Sequence, residues 1–74
     1  MLARLRVLSG REVVAILTDN GFVEVRRRGN HIVMQRRADE STVTTVVPDH
    51  REVRIGTLRS IIRQSQLPRD LFEA

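Results

Sequence analysis

Between Ser9 and Asn20 the apolar residues Val13, Ile16 and Leu17 recur at i, i+3 and i+4, the spacing of a single helical stripe. Ser9 and Glu12 have the S-x-x-E spacing of a capping box, in which each side chain satisfies a free backbone N–H of the first turn. Leu8 and Val13 stand at the spacing of a hydrophobic staple, and Asn20-Gly21 closes the helix because glycine accepts the left-handed conformation beyond the C-cap. From Phe22 to Arg37 the pattern becomes strand-like. The runs FVEVRRR and HIVMQRR flank Gly29-Asn30, a two-residue turn with glycine first, as a type II′ turn requires. A two-residue loop pairs Arg28 with His31, Arg27 with Ile32, Arg26 with Val33 and Val25 with Met34. Alternation then turns Val23, Val25, Ile32 and Met34 toward the helices and Glu24, Arg26, Arg28, His31, Val33 and Gln35 away from them. Phe22 falls out of step and is expected at the helix-to-strand corner.

Ala38 to Ser41 is polar and acidic and predicts a second turn, followed by a β-branched third strand over Thr42 to Val47. Pro48 cannot donate to a ladder, so the strand stops near it. Asp49 to Arg54 is a charged loop. Gly56-Thr57 opens a second helix with Leu58, Ile61 and Ile62 as its stripe and with Arg59 and Arg63 on another face. Pro68 ends it, and a short last helix runs through Leu71 and Phe72. The expected fold is α+β, in the order α-β-β-β-α. Two helices cover one face of a three-stranded antiparallel sheet, leaving the other face to solvent or a partner. Residues 9–74 form one domain without internal repeats, and residues 1–8 (MLARLRVL) form an N-terminal extension. Two arginines interrupt the apolar residues of that extension, so it lacks a signal-peptide core, and no stretch approaches the ~18 apolar residues of a membrane span. A short strand, an interface arm and a frayed start all remain open for it.

Composition narrows the function. The 74 residues include thirteen Arg, no Lys and no Cys, with a net charge of +4. A chain this small buries only about 60% of its unfolded surface, which leaves little room for a deep pocket beside a core. A cofactor-dependent enzyme of the usual architecture is therefore not expected, and no cofactor is assigned. Without Cys there is no disulfide, no thiolate zinc site and no cysteine nucleophile, which suits a reducing cytoplasm. The positive balance points to an anionic partner, with nucleic acid ahead of an acidic protein or a membrane surface. Residues 22–37 concentrate that charge: Arg26, Arg27, Arg28, Arg36 and Arg37 stand against Glu24 alone. They read either as a solvated strand edge that deters aggregation or as a phosphate-binding surface.

His31 is the one strong catalytic candidate. Ile32 and Met34 already claim the core face, so alternation argues against a packed structural role for it. An imidazole beside Arg26 and Arg28 is suited to moving a proton while guanidiniums neutralise a phosphodiester. Attack by an RNA 2′-hydroxyl on its own phosphate needs only those two services. His50 reads as a solvated loop residue. Two His nineteen positions apart, without Cys, do not form a metal site by spacing, so no metal is assigned. Phe22 and Phe72, the only aromatics, are expected in the core, which excludes base stacking on surface rings.

The stretch SGREVVAILTDNGF, the hairpin RRRGNHIVM, the VVPDH loop and above all IGTLRSIIRQSQL resemble the HicA (YcfA-like) mRNA interferase toxins over residues 9 to about 67. The resemblance implies a double-stranded-RNA-binding-domain-like fold and ribosome-independent mRNA cleavage with one catalytic His after the hairpin turn. It also implies a HicB-type antitoxin partner. The family's G-S-H corresponds to Gly29, Asn30 and His31, so His31 inherits the catalytic role and Gly29 and Asn30 join the RNA contacts. Asn30 replaces the commoner Ser, and Arg51 and Arg54 replace lysines of the relatives' loop. The expectation is thus a toxin with endoribonuclease activity. Arg26 and Arg28 are its leading RNA contacts, with Arg27, Arg59 and Arg63 behind them. A non-catalytic RNA-binding module and a basic protein-interaction domain are the alternatives.

Overall fold

The computed structural model describes residues 3–74, so Met1 and Leu2 of the N-terminal extension lie outside the described residues. Helix α1 (Gly10–Asp19) precedes strands β1 (Val23–Arg28), β2 (His31–Ala38) and β3 (Ser41–Pro48), helix α2 (Ile55–Ser65) and a 3₁₀ turn (Arg69–Phe72). The strands form an antiparallel sheet in the order β1-β2-β3, so the α+β architecture is the one expected. The reciprocal capping box opens α1: the Glu12 N–H donates to the Ser9 hydroxyl at 3.1 Å, and the Ser9 N–H donates to the Glu12 carboxylate at 2.9 Å. Leu8 and Val13 are both buried, and Gly21 takes φ +92° just past the Asn20 cap. Helix α2 starts at Ile55, one residue before the predicted Gly56, and ends where Gln66 adopts the left-handed conformation.

Both helices lie on the same sheet face. Val13 and Leu17 of α1 and Leu58 and Ile61 of α2 join Ile32, Met34, Val43 and Val47 in one core, closed by Phe22 and Phe72. Thr45 is buried within this face, and its hydroxyl donates to Gln64 Oε1 at 3.0 Å. Phe22 occupies the corner before β1, as expected from its break with the alternation.

The hairpin departs from expectation at one point. Arg28–His31, Arg27–Ile32 and Arg26–Val33 pair as predicted, but Glu24, not Val25, pairs with Met34, and Val25 is the extra residue of a β-bulge. A bulge shifts the alternation of everything before it. Glu24, expected on the outer face, is therefore the register partner of a core residue. Val23 and Val25, expected in the core, are 61% and 49% exposed. Among the described residues the helices pack chiefly against β3, and the six residues of the edge strand β1 are all exposed. Val33 behaves in the opposite way. It sits on the outer face between Arg26 and Val46 in register, yet is only 9% exposed.

The segment before α1 is paired through its backbone. Leu5 bridges Glu73, the Arg6 N–H donates to the Phe72 carbonyl at 2.8 Å, and the Val53 N–H donates to the Leu8 carbonyl at 2.7 Å.

Candidate active site on the outer sheet face

The β1–β2 turn sets the position of His31. Gly29 takes φ +58°, which a side chain would disfavour, and the two-residue loop places His31 opposite Arg28 at the start of β2. The other neighbour of His31 is Pro48, at the end of β3. His31 is exposed, outside the core, as alternation implied.

The arginine cluster divides by face. Arg26, Arg28 and Arg37 lie in register with outer-face residues and are exposed. Arg27 pairs with Ile32 and turns to Asp49, with Nη1–Oδ2 at 3.0 Å. Arg36 has its guanidinium 5.4 Å from the centre of the Phe22 ring, a cation–π contact, and its buried Nε has no hydrogen-bond partner among the described residues. Two of the five guanidiniums thus serve the interior side of the sheet, and three face outward with His31.

The loop after β3 brings a second imidazole to the first. His31 and His50 line one cavity of about 320 Å³ together with Val46, Pro48, Arg54 and Thr57. His50 is exposed, as a loop residue should be, but it is not remote from His31. Three backbone contacts hold its loop. The Asp49 N–H donates to the Asn30 carbonyl at 2.6 Å, the His50 N–H to the Pro48 carbonyl at 2.9 Å, and the Gly10 N–H to the His50 carbonyl at 2.8 Å. Gly10 is required there: a Cβ at that position would lie 2.9 Å from Asp49 Cα and closer still to the Pro48 carbonyl oxygen. Asp49 is engaged by Arg27 and, at 3.8 Å, by Arg11, so its carboxylate is already neutralised beside the two histidines.

A larger cavity of about 960 Å³ lies elsewhere, lined by Arg4, Leu5, Ile55, Arg59, Arg69 and Ala74 among others. Among its described lining residues no side chain exchanges protons near neutral pH, whereas the smaller cavity is lined by two imidazoles. Arg59 belongs to that larger cavity and Arg63 to an exposed part of α2, so neither is gathered at His31. Arg54 and His50 line the same cavity as His31 although neither is near it in sequence. The signal for them was available: a two-residue turn between β2 and β3 pairs His31 with Pro48, two positions before His50. Among the described residues no His, Asp and Glu side chains are gathered in a group of three or more that suits a metal ion, and no helix is long and apolar enough to cross a membrane.

Comparison with curated proteins gives no match. The profile of a family described as HicA toxin of bacterial toxin-antitoxin matches residues 10–67, from the first residue of α1 to just past α2, and so includes both histidines. That match covers well over half of the chain and follows its elements in order; the protein belongs to the HicA toxin family and is the toxin of a toxin–antitoxin pair.

Proposed function

We propose that this toxin is an mRNA interferase, an endoribonuclease that cleaves RNA through His31 and is silenced when a HicB-type antitoxin covers the site. The observation that carries the reading is an exposed imidazole on an arginine-bearing sheet face, beside a cavity, in a chain of this family. His31 accepts the proton of an RNA 2′-hydroxyl. The 2′-oxygen then attacks the adjacent phosphorus and the bond to the 5′-oxygen breaks, leaving a 2′,3′-cyclic phosphate and a free 5′-hydroxyl. Arg26 and Arg28 neutralise the phosphate as charge builds on it, and Gly29 and Asn30 present the turn backbone to the strand. Arg27, tied to Asp49, contributes less, and Arg59 and Arg63 act as outlying contacts. Side chains supply both proton transfer and charge neutralisation, so the reaction needs no metal ion.

The test is induction of wild type and His31→Ala without antitoxin, alongside the purified proteins on a defined RNA in EDTA. Wild type is expected to arrest growth and cleave RNA in the chelator. His31→Ala is expected to cleave about 10²-fold more slowly or worse. Undiminished cleavage by the variant sinks the His31 mechanism. Salt-sensitive binding with intact RNA in both proteins identifies a non-catalytic module instead.

A further inference from the structure

We infer that His50 is a second catalytic residue, the general acid that protonates the departing 5′-oxygen, with Arg54 as an additional phosphate contact. The inference deepens the ribonuclease reading and rests on it. His31 and His50 reach one cavity of about 320 Å³ from two different elements, the start of β2 and the loop after β3, with Arg54 on the same wall. That volume lies at the lower end of the range of small-molecule sites. A cleavage step that removes a proton from one oxygen and adds one to another needs a donor as well as an acceptor. Among the side chains lining this cavity, only the two imidazoles exchange protons near neutral pH.

The loop is built to hold His50 still. Its backbone is tied to the hairpin tip through Asn30 and to the first helix through Gly10, while the imidazole itself remains exposed. Asp49, the carboxylate next to His50, is occupied by Arg27 and Arg11 and does not compete for the role. Arg54 caps α2 only through its backbone, and its side chain makes no capping bond, which leaves the guanidinium available to the cavity.

The protons balance across the step. Neutral His31 takes the 2′-hydroxyl proton as the new phosphorus–oxygen bond forms, and protonated His50 gives its proton to the 5′-oxygen as the old bond breaks. The two rings end with their protonation states exchanged, and water restores them between turnovers.

The discriminating experiment compares His50→Ala and His50→Gln with wild type on two substrates. One is a defined RNA, whose 5′-oxygen needs a proton to leave. The other is a nucleoside 3′-(4-nitrophenyl) phosphate, whose leaving group departs as a stable anion. Both variants are expected to lose about 10²–10⁴-fold on RNA and to stay within about threefold of wild type on the nitrophenyl ester. His31→Ala is expected to fail on both. The main-chain carbonyl that binds Gly10 is untouched by either substitution, so an unchanged melting temperature is expected. Wild-type rates on RNA overturn the inference, and so does an equal loss on both substrates, which marks His50 as a binding residue. A wild type that cleaves neither substrate ends the ribonuclease reading itself and this inference with it.

Discussion

Replacing Gly10 by alanine tests how the site loop is held. The added Cβ would lie 2.9 Å from Asp49 Cα and 3.0 Å from the Pro48 carbonyl carbon, with the Pro48 oxygen nearer still, and all three are backbone atoms that no rotamer change moves away. Helix α1 and the His50 loop must separate, and the 2.8 Å hydrogen bond from the Gly10 N–H to the His50 carbonyl weakens with them. Overpacking of this kind costs about 1–3 kcal/mol, and loss of the hydrogen bond adds about 1 kcal/mol. The better helix propensity of alanine offsets at most about 1 kcal/mol. With the full offset the net loss is about 1–3 kcal/mol, or roughly 4–24 °C in melting temperature for a domain of this size. Gly56 is the control, because among the described residues nothing lies within 4 Å of a Cβ built there. Gly56→Ala should leave stability unchanged or raise it by up to about 1 kcal/mol. Thermal and urea unfolding followed by circular dichroism measure both. Equal stability of the two variants would refute the close-approach argument and the picture of a clamped loop.

The capping box gives a stability prediction with a pH signature. Ser9→Ala is expected to cost about 1 kcal/mol in urea unfolding at neutral pH. The Ser9 main-chain N–H, then the Ser9 hydroxyl and the charge of Arg6, hold the Glu12 carboxyl below its ordinary value of 4.5. A depressed carboxylate stabilises the fold fully above the unfolded value and loses that contribution as pH falls through the folded one. The gap in urea midpoint between wild type and Glu12→Gln should therefore narrow in acid, and a gap that widens contradicts the assignment. The split of the arginines predicts unequal salt effects. In a His31→Ala background, Arg26→Gln and Arg28→Gln should each reduce the salt slope of single-stranded RNA binding by about 0.7, and Arg27→Gln by clearly less. Equal changes for all three mean that the Asp49 pair does not restrain Arg27.

Much of the fold was legible because local chemistry agreed with the global pattern. Ser9, Glu12 and Gly21 announced α1, and Gly29-Asn30 announced a turn that set three register pairs and placed His31 outward. The alternation failed at Val25 because a bulge without glycine leaves no mark in the chain; it is a property of the ladder. The exposure of Val23 had the same origin together with a tertiary one, since the helices pack chiefly against β3. The nearness of His50 to His31 shows only when the β2–β3 register is carried to its end, where His31 meets Pro48; a periodicity count within one element does not reach it. The arginines looked like one patch because charge counts do not record faces, whereas Asp49 and Phe22 each draw one of them to the other side.

The β1 edge has a consequence for how this protein behaves as a material. An edge strand with exposed Val23 and Val25 is a template for a second strand. The guanidiniums of Arg26 and Arg28 repel a like-charged copy from that template. Variants that strip these charges to probe RNA binding also remove a colloidal safeguard, and their loss of activity can come from self-association. Gel filtration across a range of concentrations separates the two outcomes, and lysine in place of arginine keeps the repulsion while removing the bidentate fork.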